Sequence, residues 1–156
     1  MEARLTLANP LAGKVMKHFV AVNRVLGESS LPAATAELVK IRASQINGCA
    51  YCTDMHTKDA IAAGETSLRL DLIATWREAT VFTDAERAAL ELAEQGTRTA
   101  DAAGGVPDEV WAGAAKHFDD EQLAALVSHI ALINAFNRLN VITQQPAGDY
   151  QPGQWN

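Results

Sequence analysis

The chain has 156 residues, 48% of them hydrophobic, and carries 13 Lys and Arg against 19 Asp and Glu, a net charge of −6. A chain of this length buries roughly two thirds of its unfolded surface, so one core suffices without disulfide or metal staples. The acidic balance argues against a nucleic-acid or anionic-membrane binder, which needs a basic face, and two cysteines three residues apart are not a disulfide-rich scaffold.

Ala (29) and Leu (15), against few aromatics, favour helices over sheets. In chain order, Asn9-Pro10 predicts a helix running to about Gly27, with Asn as cap and Pro in the first turn. Ser30-Leu31-Pro32 opens a second, ending near Asn47-Gly48. A third runs from about Cys49 to Gly64, whose glycine suits a C-terminal cap. A short fourth spans Ser67 to Trp76. Thr83-x-x-Glu86 is a capping box for a fifth, through Gln95-Gly96. Val106-Pro107 leads a sixth to Phe118, and Asp119-x-x-Gln122 opens a seventh to about Val141. The tail, PAGDYQPGQWN, reads as coil or an arm that contacts a partner. No strand alternation, repeat or low-complexity tract is present.

The first nineteen residues are interrupted by Glu2, Arg4, Lys14 and Lys17 and lack the apolar stretch of a signal peptide. The longest uncharged run, Gln122 to Asn137, includes Ser128, His129 and Asn134. It falls short of the roughly 20 apolar residues of a spanning helix. The expectation is a cytoplasmic protein with no membrane or nucleic-acid partner, where a CxxC is catalytic or metal-binding rather than structural. The seventh helix is apolar nearly all round, which predicts burial at the centre or at a subunit interface, and hence an oligomer. On it, His129, Asn134, Asn137 and Arg138 are expected to form a satisfied intersubunit network.

The chemistry concentrates in ELVKIRASQINGCAYCTDMHTKDA, residues 37–60. If a helix starts at Cys49, then Cys49, Cys52 and His56 stand at i, i+3 and i+7 on one face. A thiol at a helix N-terminus has its thiolate stabilised by free N–H groups. An imidazole one turn later can take the thiol proton, and the second thiol can resolve an oxidised Cys52 into a disulfide. Alternatives stay open at this level. Glu37, Cys49, Cys52 and His56 could hold zinc. The CxxC could belong to a thioredoxin-type fold, although no strand precedes it. The thiols could be inert, and Glu37 could pair with Lys40 or Arg42. No nucleotide-binding fingerprint is present and the four His show no metal spacing, so no cofactor or metal is expected.

The run Glu37-x11-Cys49-x-x-Cys52-x3-His56, followed by Gly64-Glu65, resembles the alkylhydroperoxidase D (AhpD)-like family of the carboxymuconolactone decarboxylase superfamily. The resemblance is dense over about 37–65 and looser over 13–95, and the INAFNRLN of the last helix fits it. It implies one all-α compact domain over 1–156, of about six to seven helices, assembled into trimers or hexamers. The implied activity is reduction of alkyl hydroperoxides. Cys52 would be the peroxidatic cysteine, Cys49 the resolving one, and His56 and Glu37 a proton relay, with a lipoyl-type or thioredoxin-like reductant recycling the disulfide. The best-studied branch carries a His where this chain has Tyr51, which can donate or relay a hydrogen bond. A non-catalytic redox sensor or assembly module, and a lactone enzyme of the decarboxylase type, are the other readings.

Elsewhere, Gly48 is expected to permit a sharp helix junction and Asn47 to cap it. Ser44 and Gln45 line the site or pack between helices. Trp76 and Trp111 read as core, Trp155 as an anchor on a neighbouring subunit, and His18 and His117 as surface residues.

Overall fold

The computed structural model describes residues 2–6, 8–102 and 104–155. They form seven α-helices: α1 (Pro10–Gly27), α2 (Ala33–Ile46), α3 (Ala50–Ala62), α4 (Ser67–Leu72), α5 (Asp84–Thr97), α6 (Asp108–Ala115) and α7 (Asp120–Thr143). A single 3₁₀ turn, Ile73–Thr75, follows α4, so the expected fourth helix stops short of Trp76. Among the described residues there is no strand.

Local chemistry sets most boundaries. Asn9 Oδ1 accepts from the N–H groups of Leu11 and Ala12, with Pro10 at the first position. Capping boxes start α5 at Thr83/Glu86 and α7 at Asp119/Gln122. The α2–α3 junction differs from the sequence reading. Gly48 does turn the chain, at φ +65°, but Asn47 does not cap α3: it ends α2, and Cys49 is the α3 N-cap.

The hub is α2, which packs on α3, α5 and α7. Its faces serve different clusters. Val39 joins Leu92, Leu126 and Ile130. Leu38 and Ile41 join Ile73, Trp76, Phe82 and Leu90. Ala43 joins Cys49, Cys52 and Ile133. Leu90 and Leu126 are wholly buried, so truncating either to Ala would cost about 2–5 kcal/mol. The α5–α7 crossing is close because Gly96 has no side chain: a Cβ there would lie 3.0 Å from Ile130 Cγ2. Trp76 is core as expected. Trp111 is not: it is 47% exposed, because α6 packs through Ala114 and Val110 and turns its tryptophan outward.

By length and composition α7 is apolar enough to cross a bilayer, with mean hydropathy 1.2. Its Asn134, Asn137 and Asn140 are buried and hydrogen-bonded within this chain, the packing of a core helix. Of the residues expected in an intersubunit network, Asn134, Asn137 and Arg138 find hydrogen-bond partners within the chain. Asn47 Nδ2 donates to Asn134 Oδ1 and Asn137 Oδ1, both at 2.9 Å. Asn137 Nδ2 donates to Ser44 Oγ at 3.0 Å, and Asn134 Nδ2 to Thr97 Oγ1 at 3.1 Å. Among the described residues, Arg138 hydrogen-bonds only to Asn134, on its own helix. The tail is coil, one of its two readings, and folds back over α3 of its own chain.

Candidate active site

The α2–α3 turn and α7 bring the chemistry together. Cys49 caps α3: its Sγ accepts the backbone N–H of Cys52 at 3.5 Å. The free N–H expected to serve Cys52 thus serves Cys49. Cys52 Sγ instead accepts from Asn140 Nδ2 of α7 at 3.2 Å. Both cysteines are buried and reduced, and they border different spaces. Cys52 lines a cavity of about 130 Å³. Cys49 lines a shallow outer depression beside Gln45, Thr53 and Lys58.

Glu37 of α2 bridges two groups. Its Oε2 is 2.9 Å from His56 Nδ1, and its Oε1 accepts from Lys40 Nζ at 2.8 Å. Pairing with Lys40 and contact with His56 are both realised, while Arg42 turns away to Glu94. Burial works to raise the Glu37 carboxyl, but hydrogen bonds and charge from His56 and Lys40 outweigh it and hold it at about 2. Glu37 is therefore an anion at neutral pH. It fixes the imidazole through Nδ1 and leaves Nε2 as the nitrogen for a thiol or ligand. With Glu37 engaged in this way, no group of three or more metal-ligating side chains is assembled among the described residues.

The thiols titrate as one unit. The hydrogen bond between them is the largest influence on each. It draws Cys49 down to about 7 against the opposing effect of burial. The same bond, with burial and the charge on Cys49, pushes Cys52 far above the ordinary thiol range. One thiolate per pair is favoured near neutrality and a second is opposed. Asn137 and Asn140 donate toward the sulfurs and stabilise that single charge.

The cavity joins these groups to apolar walls. Met16 and Val20 of α1, Met55 of α3 and Leu132, Ile133 and Phe136 of α7 line it beside Glu37, Cys52 and His56. Tyr150 and Trp155 of the tail complete it. Asp54 accepts the Gly148 N–H at 2.9 Å. Lys58 Nζ donates to the carbonyls of Gly148 and Tyr150 at 2.8 and 3.0 Å. Tyr150 Oη donates to Asp59 at 2.9 Å. Trp155 Nε1 donates to Tyr51 Oη at 3.0 Å within the same chain. Burial raises the Tyr51 hydroxyl above its ordinary value, and Tyr51 acts here as the anchor of the tail.

Of the four residues singled out from the sequence, Glu37 meets His56 and Cys49 meets Cys52, and Glu37, Cys52 and His56 line one cavity while Cys49 borders another depression. The sequence reading missed Asn140, and it missed Tyr150 and Trp155 as walls of the site. A signal for Asn140 was present: Asn137 and Asn140 form an i, i+3 polar stripe on an otherwise apolar helix.

Comparison with known proteins agrees with this architecture. The sequence profile of the carboxymuconolactone decarboxylase family matches residues 13–95. The uncharacterised protein YdfG of Bacillus subtilis is 40% identical over 131 residues, which are 84% of this chain and 88% of that protein. A crystal structure from Agrobacterium tumefaciens, of a protein of unknown function provisionally named an antioxidant defence protein AhpD, superposes with a TM-score of 0.88. It is 32% identical, over 96% of this chain and all of the other. The fold is also that of the debrominase Bmp8, solved with 2,3,4-tribromopyrrole, at TM-score 0.78 and 17% identity over 88% of this chain and 72% of that one. On profile, sequence and fold together, this chain belongs to the carboxymuconolactone decarboxylase family, among its AhpD-like members.

Proposed function

We propose that this protein is a thiol-dependent peroxidase that reduces small organic hydroperoxides. The observation that carries the reading is the placement of Cys52: its sulfur forms part of an apolar cavity that it shares with the Glu37–His56 pair, with Cys49 beside it.

The steps follow from that geometry. At rest the pair's charge lies on Cys49; in the reactive form Cys49 keeps its proton, His56, oriented by Glu37, takes the Cys52 proton on Nε2, and Asn140 stabilises the Cys52 thiolate. The thiolate attacks the terminal peroxide oxygen. An S–O bond forms, the O–O bond breaks, and the departing alkoxide takes the proton from the imidazolium and leaves as an alcohol. Cys52 is now a sulfenic acid, oxidised by two electrons. Cys49 attacks its sulfur and expels water, giving the Cys49–Cys52 disulfide. An external dithiol, of lipoyl or thioredoxin-like type, reduces that bond and is itself oxidised to a disulfide. A reducing cytoplasm suits such a cycle.

The cycle fits a homo-oligomer, a trimer or hexamer. On α1, Leu11, Val15, Val22 and Val25 are exposed and lie along one face. A stripe of that kind is more than a monomer ordinarily leaves to water.

The experiment is consumption of an organic hydroperoxide with dihydrolipoamide as electron donor. The proposal expects many turnovers per chain, and none in Cys52→Ser. Consumption that survives Cys52→Ser, or its absence in the wild type, contradicts it.

A further inference from the structure

The cavity wall carries a buried polar side chain that the mechanism does not use, His129. On α7 the wall is formed by His129, Ile133, Phe136 and Asn140, at i, i+4, i+7 and i+11. This is one helical face with a rise of about 16 Å. Asn140 marks the thiol end through its contact with Cys52. His129 marks the other. Helix α1 runs antiparallel to α7: the Arg4 N–H meets the Thr143 carbonyl, Phe19 stacks edge-on against Phe136, and the Ser30 N–H meets Glu121. That order places Asn23, the remaining polar α1 residue in the wall, toward His129. Between Asn140 and His129, α7 lines the cavity with Leu132, Ile133 and Phe136, while Glu37, Lys40 and His56 face His129 from α2 and α3.

His129 is 4% exposed, its Nδ1 is buried with no hydrogen-bond partner, and neither ring nitrogen is bonded among the described residues. A buried polar atom left unpaired costs about 1–3 kcal/mol, and native proteins seldom retain one without a use. The titratable groups that face His129 are Lys40, Glu37 and His56. Burial first, and then the Lys40 charge, bring the imidazole to about 4. It is neutral in the cell and offers one N–H donor and one acceptor. Lys40 is already paired with Glu37 and is not free to hold an anion.

We infer that His129 binds an uncharged oxygen function, a hydroxyl or carbonyl, at the far end of the substrate, so that the substrates are short oxygenated hydroperoxides and not plain alkyl ones. The inference deepens the peroxidase reading and rests on it. The volume bounds the carbon body: apolar cavities of ~150 Å³ admit benzene, so 130 Å³ fits a chain of no more than about six carbons. Bound in this way, the peroxide lies at Cys52 and the second oxygen at His129, with the chain along the α7 face.

The test separates the inference from the peroxidase reading. In the redox-inert Cys52→Ser protein, calorimetry measures binding of an α,ω-alkanediol of about four to six carbons and of the matching n-alkanol, both unreactive product analogues. Added His129→Leu should weaken the diol about tenfold and leave the alkanol unchanged or tighter, while His129→Gln, which can still hydrogen-bond, should hold the diol. Equal losses on both probes, or none on either, would overturn the inference and make His129 a site for water only. If the leucine variant does not fold, His129→Met replaces it in the same comparison. Turnover of the ω-hydroxyalkyl hydroperoxide by the cysteine-intact protein is read separately. Absence of turnover with diol selectivity intact counts against the peroxidase reading. Loss of selectivity with turnover intact counts against the His129 assignment alone.

Discussion

Asn140 Nδ2 lies 3.2 Å from Cys52 Sγ and donates to it from a helix 88 residues further along the chain. The contact ties the reacting sulfur to α7 and supplies one of the few donors that a buried thiolate has here. Removing it should make the thiolate harder to form. In a Cys49→Ser background, Asn140→Ala should slow alkylation of Cys52 by iodoacetamide at neutral pH by about tenfold or more, since hydrogen bonds to charged groups contribute about 1.5–3 kcal/mol. The rate should recover at high pH, where ionisation no longer limits it. A uniform loss at all pH values would mean that Asn140 acts only in packing.

The paired thiols should release their protons in two widely separated steps. Thiolate ultraviolet absorbance of the reduced protein should rise by one equivalent around pH 7, and the second equivalent should appear only well above the ordinary thiol range. Like charges at this separation cannot both form cheaply. Two equivalents rising together near the usual thiol value would show the sulfurs to be independent.

Glu37 links the site to acid stability. Its folded carboxyl sits at about 2 against an ordinary value of 4.5. The folded value lies below the unfolded one, so the stabilisation is complete above the ordinary carboxylate range and is lost as pH falls toward 2. The difference corresponds to on the order of 3 kcal/mol. Urea unfolding of Glu37→Gln should therefore show lower stability than wild type at pH 7, with a much flatter decline through that acid window. The variant also leaves Lys40, 8% exposed, without its partner. Parallel acid limbs in the two proteins would contradict the assignment.

The tail should control which hydroperoxides enter. A chain ending at Ala147 loses Tyr150 and Trp155 from the cavity wall and the bonds to Asp54, Asp59 and Tyr51. It should react severalfold faster with a bulky aromatic hydroperoxide than the full chain does, and melt a few degrees lower, since roughly 2 kcal/mol shifts the melting point by about 4–8 °C at this size. An unchanged preference between small and bulky hydroperoxides would show that the tail is no part of the entrance.

How much of this was legible in the sequence depends on where each signal lies. Cys49, Cys52 and His56 sit within eight residues at helical spacing, so periodicity alone aligned them. The capping boxes at Thr83 and Asp119 are local chemistry and set α5 and α7 closely. Glu37 is one helix away, and spacing could not choose between Lys40, Arg42 and His56. The folded carboxylate serves two of the three, because its two oxygens point to different helices. Asn140 left a local trace in the polar stripe that it forms with Asn137, but its contact with Cys52 and the place of His129 in the cavity wall come only from the packing of α7. Asn47 was misread because the left-handed conformation at Gly48 moves the α3 cap two residues on, to Cys49. The tail has neither helical nor strand period, so its fold-back onto α3 left no trace in the pattern. Trp111 looked like core on size alone, but a helix as short as α6 buries only one narrow face.

The most direct test of the central claim is an intact-mass count of thiols on the reduced protein before and after one equivalent of an organic hydroperoxide, with Cys52→Ser and Cys49→Ser in parallel. The account predicts rapid loss of two hydrogens from the wild type, a single added oxygen on Cys52 in Cys49→Ser, and no reaction in Cys52→Ser. A wild type that keeps both thiols through many minutes, or oxidation that persists without Cys52, would contradict it.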